Sequence, residues 1–156
     1  MDSFSSAFVK VAQTSEATID ITTLAKDMSF ASLVTIAHIV YMQNGYIALE
    51  NNGTGPEADA VQVDHFNCRL GKWYYDGQGY DTFRGFDTYK AMEADHEQVH
   101  ANVRIALKLV QENWIENDEI FEQLISAIQN AEDASVGVVS GISQLVKEKN
   151  HELINS

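Results

Sequence analysis

Five histidines and one cysteine are the side chains of this 156-residue chain that could hold a transition metal through imidazole nitrogen or thiolate sulfur. His96 and His100 stand four apart, and on a helix that spacing aims both imidazoles the same way from adjacent turns. Val103 and Leu107 continue the same line, which places the pair on an inward face. His38 lies in the middle of the most apolar stretch, residues 30–42, where an unpartnered imidazole would cost about 1–3 kcal/mol. Cys68, the single thiol, comes just before Leu70-Gly71-Lys72-Trp73, where Gly71 is expected to end a helix and Trp73 to fold back as a lid. Three imidazoles and a thiolate would make a tetrahedral N3S set suited to zinc, with no position left open. Spacing alone favours the commoner arrangement, core histidines hydrogen-bonded to their neighbours. His65, three residues before Cys68, is a rival ligand or an outer partner of the site, and His151 near the chain end is expected in solvent. Glu93, Asp95 and Glu97 could orient the imidazoles as acceptors or simply form a solvated acidic face.

A closed four-ligand shell disfavours catalysis, since a catalytic zinc keeps a position for water beside a general base. No catalytic residue is assigned. A di-iron reading needs Glu-x-x-His on two separate helices, whereas Glu93-x-x-His96 and Glu97-x-x-His100 overlap on one.

The elements that must position these residues are helices. The only proline is Pro56, and glycines gather at 53–55 and 71–85, leaving long uninterrupted stretches. The pattern predicts helices over 15–49, 57–71, 88–113 with Asp87 as cap, and 117–150, with an aromatic, glycine-rich connector over 73–86 packed on the bundle through Trp73, Tyr74, Tyr75, Tyr80 and Phe83. In the last helix Phe121, Leu124, Ile128, Ala131, Ser135, Val138, Ile142 and Leu145 recur three and four apart, a packing seam. Gly137 and Gly141 either admit a close neighbouring backbone or are merely tolerated. The expectation is an all-α, antiparallel four-helix bundle forming one domain over 1–156. Residues 30–42 are apolar nearly all round, which predicts burial on more than one face and a homodimer.

Composition excludes several classes. A formal net charge of −13, with ten basic residues scattered among acids, argues against nucleic acid and anionic membrane surfaces. The run 30–42 is too short to span a membrane. A single cysteine and an opening, Met1-Asp2-Ser3-Phe4, without the features of a signal peptide point to a reducing cytoplasm.

Three segments together, His38-Ile39-Val40-Tyr41, Cys68-Arg69-Leu70-Gly71-Lys72-Trp73 and His96-Glu97-Gln98-Val99-His100, resemble the chemoreceptor zinc-binding family. Its pattern is His-x-x-aromatic, Cys-x-aliphatic-Gly-x-aromatic and His-x-x-x-His. The intervals, 26 residues from Tyr41 to Cys68 and 22 from Trp73 to His96, suit that family. The resemblance implies a four-helix, usually dimeric zinc domain of bacterial chemoreceptors and some diguanylate cyclases, with His38, Cys68, His96 and His100 as ligands. It implies a non-enzymatic regulator that senses zinc or an oxidant such as hypochlorous acid, with a structural zinc-stabilised module as the alternative and a metal-dependent enzyme as the weaker one. The opening residues 8–15 resemble the stretch joining such a domain to a receptor's signalling coiled coil, so residues 1–28 are expected to continue a signalling helix. The partners implied are zinc, a second copy and a parent or partner chemoreceptor signalling domain. No signalling hairpin, receptor linker domain or cyclase domain lies within the 156 residues, which fits an excised receptor tail or a free-standing module.

Overall fold

The computed structural model describes residues 2–154. Its helices are, in order, α1 (Asp2–Glu50), α2 (Pro56–Ala60), α3 (Arg69–Tyr75), α4 (Gln78–Phe83), α5 (Asp87–Leu109), α6 (Asp118–Lys149) and α7 (His151–Ile154), with no strand among the described residues. The all-α expectation is met. Met1, Asn155 and Ser156, included in the single-domain expectation, lie outside the described residues.

α1 has no proline and no glycine before Gly45, so nothing interrupts its hydrogen-bond ladder, and it reaches back well beyond the predicted start at Ser15. Its threonines do not compete with that ladder: Thr14, Thr18, Thr22 and Thr23 each return the hydroxyl to the carbonyl four residues earlier, at 2.7–2.9 Å. The helix ends where Asn52 and Gly53 adopt positive φ, 53° and 70°, and Gly53 N–H donates to the Ala48 carbonyl at 2.7 Å. A side chain on Gly53 would stand 2.8 Å from the Leu107 carbonyl, so this turn is seated on the end of α5.

α5 and α6 form the most extensive helix pair. They run in opposite directions, as Thr88 bonding Glu148 and Met92 meeting Gly141 show. Asn117, the predicted first residue of the last helix, is the cap of α6, its Oδ1 accepting from the N–H groups of Glu119 and Ile120. Of the predicted seam, Leu124, Ala131, Val138, Ile142 and Leu145 are buried, whereas Phe121 is exposed. The two glycines are close-approach positions: a side-chain carbon at Gly137 would fall 2.1 Å from Asp95 Oδ2, and one at Gly141 3.2 Å from Met92. Asp87 is the first residue of α5, not its cap; Phe86 takes the cap position without a side-chain bond, and Asp87 pairs with Lys90 instead.

The helix expected over 57–71 does not form. α2 stops at Ala60, and residues 61–68 turn because Asp64 Oδ1 accepts from both the backbone and the side chain of Asn67, at 2.8 and 2.9 Å. The connector is more regular than its pattern suggests, holding α3 and α4. Trp73, Tyr74 and Phe83 are buried, and Tyr74 stacks flat on Tyr89 at 4.0 Å with each hydroxyl donating to the other's carbonyl. Tyr80 is exposed instead, with Arg84 over its ring.

On α1, side chains from Ser5 to Lys26 are almost all exposed, and burial begins at Asp27. Its carboxylate takes Lys149 Nζ at 2.7 Å and Asn150 Nδ2 at 3.1 Å, fastening α1 to the end of α6. No helix among the described residues is long and apolar enough to cross a membrane.

Candidate metal centre

The helical repeat of α5 sets the first wall of the site. His96 and His100 are each 1% exposed, with ring centres 4.9 Å apart and planes at 81°. His100 Nδ1 lies 2.9 Å from the Val63 carbonyl; a carbonyl only accepts, so Nδ1 carries the proton and Nε2 is left with its lone pair. Tyr41 packs at a tilt on the His100 ring at 4.3 Å and donates its hydroxyl to the Val61 carbonyl, which ties α1, the 61–68 turn and α5 together at this ring.

Cys68 comes from the irregular second wall. It caps α3 with extended backbone, its Sγ accepting from Gly71 N–H at 3.2 Å. Gly71 therefore opens α3 and does not end a helix. Only glycine fits there: an added Cβ would fall 1.9 Å from the His65 carbonyl and 2.5 Å from that of Phe66. The sulfur so placed is 3.2 Å from His96 Nε2, and ligand atoms of Cys68, His96 and His100 all lie within 4.8 Å of one another.

His38 is buried, as its apolar setting predicts, but its partner is Ser135 of α6, with Nε2 3.0 Å from Oγ. It lines a cavity with Tyr41, Cys68 and His100 without joining the close group of three. His65, 9% exposed, packs its ring on Phe66 at 4.0 Å and stands 5.9 and 6.3 Å from the rings of His96 and His100. His151 is exposed. The acidic residues expected near the imidazoles have other engagements: Glu93 accepts from Tyr75, and the Asp95 carboxylate lies against Gly137. Trp73 packs on Phe30, Phe83 and Tyr89 as a core residue, not as a lid on Cys68. Sequence reasoning missed the Val63 carbonyl and Ser135; Cys68-x-x-Gly71, a thiol three residues before a glycine N–H, was the available sign of a sulfur cap.

Burial governs the electrostatics. It lowers His38 and His100 to about 4 and His96 to about 3, so all three are neutral near neutral pH. Burial also pushes the Cys68 thiol up, opposed by the Gly71 N–H. The result is a buried group of neutral nitrogen and sulfur donors, of the types that zinc takes as ligands.

The sequence pattern of the family described as chemoreceptor zinc-binding domain matches residues 38–107. Residues 38–107 carry the chemoreceptor zinc-binding pattern. The matched stretch begins at His38 and includes Cys68, His96 and His100. No curated protein and no solved structure matches the chain. The matched pattern is that of a zinc-binding domain, and the Cys68, His96 and His100 donors fit zinc. The family is a regulatory one, so the chemoreceptor zinc-binding domain here is a signalling module.

Proposed function

We propose that this chain is a cytoplasmic, homodimeric zinc sensor of the chemotaxis-receptor type, with His38 joining Cys68, His96 and His100 as fourth ligand. The observation carrying the reading is the meeting of a capped sulfur and two oriented imidazoles from separate elements. Bound zinc supplies the positive charge that stabilises the thiolate and closes a tetrahedral shell. Cys68 gives up its proton, His100 stays aimed by Val63, and His38 leaves Ser135 to complete the set. Ligands from α1, the second wall and α5 then hold a four-layered bundle in which residues 56–83 occupy the place of one helix.

Output runs through α1. Its stretch up to residue 28 continues a signalling helix toward a parent or partner chemoreceptor domain. Leu33, Ile36, Val40 and Ile47, exposed and spaced three, four and seven apart, form the face for a second copy. The stimulus is zinc itself or an oxidant at Cys68. With hypochlorous acid the thiolate sulfur gains oxygen as the O–Cl bond breaks, leaving sulfenic acid and chloride, and the weakened sulfur ligand loosens the site.

Metal content by mass spectrometry tests the site: the wild type retains one zinc per chain, and Cys68→Ala and His96→Ala lose it under mild chelation. A wild-type zinc affinity no tighter than micromolar in metal-free buffer would overturn the reading. Light scattering after size exclusion tests the dimer, and a monomer at micromolar concentration rejects it. Mass spectrometry after stoichiometric oxidant tests Cys68, and an unmodified thiol with retained zinc rejects the oxidant stimulus.

A further inference from the structure

His65 belongs to neither the family's four-residue pattern nor the reading above, yet its position is unusual. The residue is 9% exposed, and its ring packs on Phe66 and faces Tyr75, beside the rings of His96 and His100. Nearly every other buried polar side chain here is engaged, His38 with Ser135, His100 with Val63 and His96 with Cys68. The one fully buried side-chain nitrogen or oxygen without a partner among the described residues is Trp73 Nε1, so the His65 nitrogens border solvent and stay open to a partner that is not protein.

The geometry names what that is. Two imidazoles bound to one tetrahedral zinc, each nitrogen about 2.0–2.1 Å from the ion, have ring centres about 5 Å apart. His96 and His100 already stand at 4.9 Å, and His65 stands 5.9 Å from the first and 6.3 Å from the second, edge-on to His96 at 88°. An approach on the order of 1 Å brings the third ring to zinc-binding separation. The 61–68 turn that carries His65 also carries Cys68, whose Sγ reaches the His65 carbonyl at 3.6 Å, so this ring and the sulfur move as parts of one short element. His38, by contrast, has its Nε2 committed to Ser135, 97 residues away.

We infer that the fourth coordination position is shared: His65 takes it while His38 is bonded to Ser135, and His38 takes it when its ring leaves the serine. The inference rests on the zinc reading and adds a ligand to it. The exchange shifts the fourth donor between α1 and the second wall, so zinc can stay bound while its hold on α1 is released.

Chelator competition with zinc, and visible absorption of the cobalt(II) form, on the intact chain and on His38→Ala, His65→Ala and the double variant test this. His65→Phe, which keeps a ring on Phe66 but has no nitrogen, replaces His65→Ala should the alanine variant fold poorly. The expected result is non-additive: removing His65 lowers zinc affinity by less than about 3-fold in the wild type but by at least about 10-fold in the His38→Ala background. The tetrahedral cobalt bands persist in His38→Ala and fade in the double variant. Equal affinities and spectra for His38→Ala and the double variant overturn the inference and leave the zinc reading intact. Loss of zinc by the wild type overturns the zinc reading. A His38→Ala protein that binds like the wild type, with zinc lost on changing His65, removes His38 from the site and retains His65.

Discussion

The two walls of the metal centre are built on opposite principles. On α5 two histidines meet because a regular helix repeats every 3.6 residues, and Val99, Val103 and Leu107 on the same side bury that face. Across from them, Cys68 is placed by a chain of local exceptions: an Asp64 turn, a helix capped by sulfur, and a glycine whose neighbours leave no space for a side chain. The regular wall is held by packing spread over many residues. The irregular wall depends on a few contacts, each of which can fail alone, and it is the wall that carries the reactive group.

This contrast can be broken most sharply at Gly71. Gly71→Ala drives a methyl into two backbone carbonyls that cannot yield without moving the turn, so a loss of about 3 kcal/mol in urea unfolding is expected, together with zinc binding. A variant with wild-type stability and zinc content would show that the sulfur cap is not confined as described.

The walls also titrate in opposite directions. In the metal-free protein the buried histidines resist protonation until about pH 3–4, whereas in the unfolded chain they accept protons near 6.5. The unfolded state then binds more protons, and stability falls as pH drops from 6.5 toward 4. The thiol does the reverse: raised above its usual 9.0, it makes stability fall as pH rises through 9. Chemical denaturation across pH should show both limbs, with Cys68→Ser removing the Cys68 part of the alkaline limb.

Zinc removal should then be felt unequally. Amide exchange in residues 61–71 is expected to accelerate more than in 96–107, because the second wall has fewer packed neighbours to replace the metal's hold. Equal acceleration would contradict the division drawn here. Smallest of all, Glu97→Ala, on the solvent side of α5 between the two histidines, should change stability by no more than about 0.5 kcal/mol and leave zinc affinity unaltered.

Much of the regular wall was legible in the residues. His96-x-x-x-His100 with Val103 and Leu107 announces a buried helical face, and Asn117 announces the start of α6, because both rest on short-range geometry. The break at 61–68 was not read, although Asp64 and Asn67 are turn formers. Apolar residues at 58, 61, 63 and 66 resembled a helical pattern closely enough to hide it. The family pattern located the cysteine without saying what aims it.

The sequence by itself determined that the molecule is helical, where its two best helices begin, and which six side chains could bind a metal. Those properties follow from local propensity, periodicity and donor chemistry. Only the tertiary structure decided that Gly137 and Gly141 receive α5, that Val63 orients His100, that Ser135 engages His38 and that the His65 ring stands edge-on to His96. Each is a choice between partners far apart in the chain, set by how three long helices and one irregular segment fill space together, and no local pattern encodes it.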